Sequence, residues 1–407
     1  MQFGPIFRAL MHNKTRFLLI TLEVAFTLAI VVNCINVTLD FRRQYTEPSG
    51  MDEDNLVIVS TQPFGPDFKE EEFVDALERE DLEHLRVFPG VVDAVSISAI
   101  PMSGGGSATG RKPLDSELEG VTVPHYTVSQ HVVDALGIEI IAGRNFEPGD
   151  FELERDENGD IPHRNVLVTQ TMADALFPDG DALGSLIQND EGQLTETIVG
   201  IVSDMQNSWP SFLEGKNRVL FFPGQPANSR RMTYVVRAEA GAMDSVFTGI
   251  ESRMIETNAN RIVTVETHAE FRQETFEAQL AMVKMLGSVS LLLLVITSLG
   301  IVGLTAFSVT QRVRQIGTRR ALGATKGDII RYFLVENWII TGIGLLIGLG
   351  LTIGLNILLV NVGGAPKIEW PLMVAGMALL WVTGVIAAFV PALRATSVAP
   401  EIATRSV

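Results

Sequence analysis

The sequence predicts an α-helical membrane protein with four transmembrane helices and a large mixed α/β domain between the first and second of them. Three observations predict it. Residues 17–39, 283–309, 333–360 and 371–393 are apolar stretches, each long enough for a helix to cross a hydrocarbon core of roughly 30 Å. Residues 40–282 are polar and strongly acidic, holding 18 of the 31 Lys and Arg but 43 of the 48 Asp and Glu. Their balance is −25 in a chain whose net charge is −17. Finally, six Lys and Arg crowd into the short segment after the second apolar stretch.

Charge sets the orientation. Residues 1–16 carry Arg8, Lys14 and Arg16 and no acid, so they stay inside the cell. The first apolar stretch starts too deep and runs too long for a signal peptide, and no small-residue cleavage site follows it, so it reads as a retained span. It carries Glu23 near its inner end, an intramembrane acid expected to snorkel or to pair with a basic group. Asn33 and Asn36, farther along, are suited to hydrogen bonds between helices. Cys34, the one cysteine, excludes an internal disulfide, so the exported domain must be held by its core.

Within 40–282, residues 55–61 read as a strand, 67–87 as a helix and 91–100 as a strand. A second β-α-β unit follows late, at 232–238, 242–258 and 261–267, and the two units suit one split sheet. Between them, residues of about 126–222 read as an inserted lobe, with a helix over 126–136 and strands at 165–169 and 197–202. The Gly-rich stretch 103–113 reads as a flexible loop. It lacks the Lys-Ser/Thr ending of a phosphate loop, and no Walker A sequence occurs anywhere, so ATP hydrolysis is not this chain's work. So acidic a domain will not bind nucleic acid or anionic lipid by charge. Solubility or a salt-rich habitat accounts for the excess without a cationic substrate. The six His are scattered, and His125 and His131 have no ligand-like spacing, so no metal is expected.

Residues 270–284 run into the second span (283–309) with no obvious breaker, as residues 39–45 prolong the first, which suggests a stalk. The loop 310–332 carries Arg312, Arg314, Arg319, Arg320, Lys326 and Arg331 and belongs on the cytoplasmic side. An amphipathic helix over 311–322 would present Ile316, Arg319, Arg320 and Gly323 outward, and Gly323-Ala324-Thr325 would break it before the third span, 333–360. Glu336 at that span's inner start suits a pair with Arg331 or Arg320. Gly344, Gly348, Gly350 and Gly354 form two overlapping small-xxx-small patterns for close helix packing, within one protomer or between two. The fourth span, 371–393, returns the tail 394–407 to the cytoplasm.

The run 299–325, LGIVGLTAFSVTQRVRQIGTRRALGAT, resembles the loop by which permeases of the MacB/FtsX family of ABC transporters meet their ATPase, R-x-x-E-I-G-x-R-x-A-x-G-A. The tail pattern of Pro391, Ala395 and Pro400 is similar to the family's as well. Residues 88–106, 136–151, 167–187 and 197–204 look like successive pieces of the MacB-type periplasmic core domain, among them LGIEIIAGRNFEPGDF. The resemblance covers nearly the whole chain in order.

It implies a non-catalytic permease subunit in a bacterial inner membrane, working as a dimer of identical or paralogous protomers. ATP and Mg would be held by a separate ATPase subunit docked on Arg314, Gln315, Ile316, Gly317, Arg319, Arg320, Leu322, Gly323, Ala324 and Thr325. Residues 40–282 would be the periplasmic domain, moved by that motor to export an amphiphile, peptide or lipid-like substrate, with a periplasmic adaptor as a further partner. Gln315 stands where the family has Glu, so a charge-dependent contact there is lost. Two other readings are an FtsX-like regulator, which activates an extracytoplasmic hydrolase without transport, and a plain membrane anchor. The size of the exported domain favours the MacB type.

Overall fold

The structure, a computed structural model, describes residues 14–397 except 115, 117–119, 154–160, 191, 193, 210–214 and 228–229. The N-terminal Arg8 and the tail's Pro400 and Arg405 lie outside the described residues.

Helix α1 (Lys14–Thr46) leads into strand β1 (Leu56–Pro63), helix α2 (Glu71–Arg86) and strand β2 (Val91–Ser96). Then come β3 (Ser107–Pro113), β4 (Val121–Val128), α3 (Val132–Leu136), β5 (Ile140–Gly143), β6 (His163–Thr169) and α4 (Gln170–Leu176). Strands β7 (Leu186–Asn189), β8 (Thr195–Val202) and β9 (Leu220–Pro223) complete that stretch. The chain returns through β10 (Met232–Ala238), α5 (Met243–Thr257), β11 (Arg261–Thr267) and α6 (His268–Thr275). Helices α7 (Glu277–Gln311), α8 (Val313–Ala321), α9 (Lys326–Gly363) and α10 (Trp370–Ala395) end it. Two compact units result: Thr46–Glu277, and the helices on either side of it in the chain.

In the inserted unit, the two β-α-β segments build one antiparallel sheet of order β11-β1-β10-β2. Alternation along β1 decides its two faces. Val57 and Val59 join Val74, Leu77, Leu82 and Leu85 of α2 and Val246, Ile250 and Met254 of α5 in one core. Leu56 points the other way, into a second core shared with Tyr126, Leu136 and Phe221. Glu71 and Glu72 in the first turn of α2 complement its positive end. Where the chain enters and leaves this unit it is tied: the Glu53 carboxylate accepts from Arg272 Nη1 (2.7 Å) and Ser49 N (2.9 Å). Burial alone would raise this carboxyl. The His268 ring, 3.6 Å away, and the hydrogen bonds from Ser49 and Arg272 outweigh it and hold Glu53 far below the usual carboxylate range.

The second lobe starts at Ser107, upstream of residue 126. The stretch 107–113 is strand β3, not loop, and 121–128 is strand β4, so the helix expected over 126–136 shrinks to Val132–Leu136. Tertiary pairing overrides local pattern here, because β4 lies between β3 and β9. The strand order is β5-β8-β6-β9-β4-β3-β7, and β7 also pairs with β8, so six strands close into a ring with β5 outside it. A closed ring leaves few bare sheet edges. Glu196 (β8), fully buried, takes Arg111 Nε at 2.6 Å and Arg164 Nη2 at 2.7 Å, joining β3, β8 and β6. The Arg164 guanidinium stands 3.3 Å from the centre of the Phe222 ring. Burial, with Arg111 and Arg164 nearby, pushes His125 down to about 4, so it stays neutral.

The membrane-type unit has four helices of sufficient length and apolarity to cross a bilayer. At 33, 35 and 38 residues, α1, α7 and α9 run about 50–57 Å, well beyond a 30 Å core. Helix α1 is the hub: 61% of its apolar stretch is buried, against 17–28% for the other three. Ile20, Val24, Leu28 and Val32 recur every four residues and meet Ile301, Ile340, Leu345 and Leu380. Asn36 Nδ2 and Asn356 Nδ2 both donate to Pro366 O (2.8 and 3.1 Å), latching the α9–α10 connection. The run into α7 is broken at Phe276, which ends α6, where the sequence suggested continuity.

Two buried acids of the inserted unit should respond oppositely to neutralisation. Glu196→Gln leaves two guanidiniums facing an amide and should cost about 3–5 kcal/mol. Glu78, fully buried in α2, has no hydrogen-bond partner among the described residues, and burial pushes its carboxyl up to about 7. Its protonated form is favoured in the folded state. Its contribution is therefore full below about 4.5 and is lost as pH rises through 7. Glu78→Gln should match wild type at pH 4 and exceed it by about 3 kcal/mol at pH 8, read from denaturant unfolding.

Candidate ATPase-coupling surface

The site is an elbow between two long helices. Helix α7 ends at Gln311, Arg312 takes a non-helical conformation (φ −105°, ψ 12°), and α8 starts at Val313. Arg312 is pinned from inside: its Nη1 donates to Glu336 Oε2 (3.0 Å) and to Tyr332 Oη (3.1 Å). That ion pair is nearly excluded from water, with side-chain exposures of 11% and 1%. Arg312, which the charge pattern did not single out, is thus a described partner of Glu336.

Helix α8 shows its faces by burial. Val313, Ile316, Gly317 and Arg320 turn inward, Ile316 joining Val309, Ile329, Phe333, Ala392 and Ala395 in a small core. Arg320 Nη1 donates to Thr396 O (2.9 Å). The expected outward stripe of Ile316, Arg319, Arg320 and Gly323 is therefore corrected. Ile316 is the aliphatic side chain that fills the core, which rotates the exposed face to Arg314, Gln315, Thr318, Arg319 and Leu322. Leu322 is 83% exposed, and Arg319 lies 4.7 Å from the centre of the Tyr332 ring.

Gly323 follows with φ +99° and open space where a side chain would stand. It supplies the left-handed turn and no close approach. Ala324 is half-buried, and Thr325 caps α9: its Oγ1 accepts from Asp328 N (3.2 Å) while Asp328 Oδ2 accepts from Thr325 N (3.0 Å). The elbow is thereby bounded by two fixed ends.

Away from the elbow, the glycines divide. A methyl group on Gly344 would lie 3.0 Å from Thr21 O, and on Gly348 3.0 Å from Ala25 Cα, so both lie against α1. Gly350 and Gly354 face open space. Glu23 packs on Gly300 of α7, where an added Cβ would meet its carboxylate oxygens at 2.5 Å. No hydrogen-bond partner of that carboxylate is found among the described residues, and the side chain of Arg16 lies outside them. One turn on, the Thr27 and Thr297 hydroxyls hydrogen-bond at 2.8 Å. In the inserted unit, Asp93, His131 and Asp134 come within 4.8 Å, a grouping spacing did not reveal. His131 Nδ1 is 2.9 Å from Asp93 Oδ2, and Arg86 Nε is 3.2 Å from Oδ1, so a cation there would compete with a guanidinium.

A four-helix membrane unit interrupted after its first helix by a split-sheet domain, with a basic elbow between the second and third helices, is the plan of an ABC-type permease. Residues 17–281 match the MacB-like periplasmic core domain and residues 287–400 the FtsX-like permease C-terminal domain, and the chain belongs to this MacB/FtsX-like family. It is 24% identical over 404 residues to the macrolide export ATP-binding/permease protein MacB of Marinobacter nauticus, covering 97% of this chain and 58% of that protein. It is 25% identical over 306 residues to the ABC transporter permease YvrN of Bacillus subtilis, covering 71% of each. The chain thus spans little more than half the length of the MacB relatives it matches. Among solved structures, it is similar to the periplasmic region of MacB from Actinobacillus actinomycetemcomitans (13% identity, TM-score 0.37, 56% of this chain and 96% of that one).

The two classes of glycine predict a contrast. Gly348→Leu should overpack the α1–α9 contact and lower stability by about 1–3 kcal/mol, whereas Gly350→Leu should leave the unfolding midpoint in detergent unchanged.

Proposed function

We propose that this chain is the permease subunit of a MacB-like exporter, driven by a separate ATPase subunit that binds ATP and Mg and docks on the exposed face of α8. The supporting observation is the elbow itself. Leu322 and four polar or basic side chains, Arg314, Gln315, Thr318 and Arg319, project from a short helix whose ends are fixed by the Arg312–Glu336 pair and the Thr325 cap. A load applied to α8 is passed to α7 and α9, because both flanking joints are ordered and the helix is packed on Phe333 and Ala392. Helix α7 runs unbroken from Gln311 back to Glu277, the last residue of the inserted domain.

In this reading the loop lies in the cytoplasm, the inserted domain in the periplasm, and two permease protomers work together in the inner membrane. The cargo is an amphiphile, peptide or lipid-like molecule, and a periplasmic adaptor receives it. The positive-inside balance supports the orientation: outside residues 40–282 the chain holds 13 Lys and Arg against 5 acids.

Reconstitution with the cognate ATPase tests it. Leu322→Glu touches nothing inside the chain and should reduce stimulated ATP hydrolysis at least tenfold with no change in unfolding midpoint. Arg319→Glu with Arg320→Glu should also reduce it while sparing membrane insertion, with a lower unfolding midpoint because the Arg320–Thr396 hydrogen bond and the Arg319–Tyr332 contact are lost. Undiminished stimulation in the Leu322 variant would remove α8 as the docking surface.

A further inference from the structure

The inserted domain brings together three metal-ligating side chains that the coupling surface does not use. Asp93 (β2), His131 and Asp134 (α3) each place one donor atom within 4.8 Å of the other two. The spacing of the histidines concealed this, because Asp93 lies 38 residues before His131. His131 caps the N-terminus of α3, Asp134 stands in its first turn, and the helix packs on β2.

Each donor is held in its own way. Asp93 is buried, and its Oδ1 accepts from Ala94 N (2.8 Å) and faces Arg86 Nε (3.2 Å). Its Oδ2 is left to His131 Nδ1, at 2.9 Å. His131 is one of two non-glycine residues with positive φ among the described residues (+78°), a costly conformation that fixes where the imidazole stands. The Asp134 side chain is exposed and has no hydrogen-bond or ion-pair partner among the described residues. Its backbone carbonyl takes Arg237 Nη1 (3.2 Å). Both neighbouring guanidiniums are committed: Arg237 binds Asp52 Oδ2 (2.8 Å), and Arg86 also donates to Ala94 O and Gln130 O (3.0 Å each). Arg86 thus keeps one oxygen of Asp93 and orients the other, as outer-shell donors do for ligating carboxylates.

We infer that Asp93 Oδ2, His131 Nδ1 and the Asp134 carboxylate bind a divalent transition-metal ion of the zinc class, with water completing the shell. One imidazole and two carboxylates are a donor set that suits zinc. Bonds of about 2.0–2.1 Å in a tetrahedron set donors about 3.3 Å apart. Asp93 and His131, at 2.9 Å, already stand near that separation, and the third donor is on an exposed side chain within 4.8 Å. The ion takes the place of the proton between Nδ1 and Oδ2, and the neutral imidazole keeps its proton on Nε2. Magnesium and calcium suit the site less, since both take oxygen donors and larger shells. Two carboxylates face one unbalanced guanidinium, Arg86, whose charge lowers the affinity to the micromolar range. A bound ion would tie β2 of the split sheet to the helix that follows β4, across the junction of the two lobes.

The test uses the full chain without an affinity tag, in lipid nanodiscs, stripped with EDTA and titrated with zinc or magnesium chloride by calorimetry. Zn²⁺ should bind with micromolar affinity, at least tenfold more tightly than Mg²⁺, and should raise the unfolding midpoint. Asp134→Asn, which removes no contact within the chain, should unfold as wild type in EDTA and lose at least tenfold in Zn²⁺ affinity. His131→Gln should lose as much, whereas His163→Gln, at an exposed histidine of β6, should bind as wild type. Co²⁺ in place of Zn²⁺ should give visible absorption bands that vanish in His131→Gln, a signature that a plain hydrogen bond between His131 and Asp93 does not produce. Absence of Zn²⁺ binding, equal affinity for Mg²⁺, or Asp134→Asn and His131→Gln variants that bind as wild type would each overturn the proposal. None of these measurements involves ATP, so a negative result leaves the docking surface on α8 standing, and a failure at Leu322 leaves this site standing.

Discussion

The inserted domain depends on the pairing of β1 with β10, strands that lie on either side of the entire seven-stranded lobe. Until β10 returns, β1 and α2 have half a sheet and no partner for Val57 and Val59. Long-range pairing of this kind carries a loop-closure cost that only burial of a shared core repays. The Glu53–Arg272 tie completes it by joining the points where the chain enters and leaves the unit. With both points fixed to one sheet, displacement of either flanking segment reaches the whole unit rather than a frayed end.

Charge inside this domain is handled in three ways. Glu196 is held by two guanidiniums, Asp81 by one guanidinium and the Tyr234 hydroxyl, and Glu78 by none among the described residues. The first two are desolvated groups with their partners present, which makes them register-fixing contacts between strands and helices. The third is the exception. Surface acidity, which dominates the composition, is separate from this: a solvated excess of Asp and Glu sets solubility, while one buried carboxyl without a described partner sets a pH-dependent cost in stability.

In the membrane-type unit, close approach and polar latching act together. Gly344 and Gly348 let α9 lie on α1, while Asn36 and Asn356 hold the α9–α10 connection to that same helix. Where water is excluded, an unpaired amide is expensive, so these latches resist slippage along a seam that glycine leaves smooth. Helix α7 is the least enclosed of the four and carries the elbow at one end.

The sequence alone determined the four long apolar helices, the two β-α-β units and the basic elbow, because each rests on local periodicity or composition that burial then uses directly. Asn55–Thr61 reads as a strand and is one, within two residues, since its alternation serves two cores. What only the tertiary structure decided was whatever depends on partners far along the chain. Residues 121–128 carry no clear strand pattern, yet they are sheet because β3 and β9 flank them. The inward turn of Ile316 was illegible because nothing near it in sequence announces the pocket made by Val309, Phe333 and Ala392. The isolation of Glu78 was likewise hidden: in sequence it is one acid among many on α2, and only packing shows that Arg261 is already taken by Asp81. Periodicity tells which residues are buried together locally, and three-dimensional contact alone tells which charges are left without a partner.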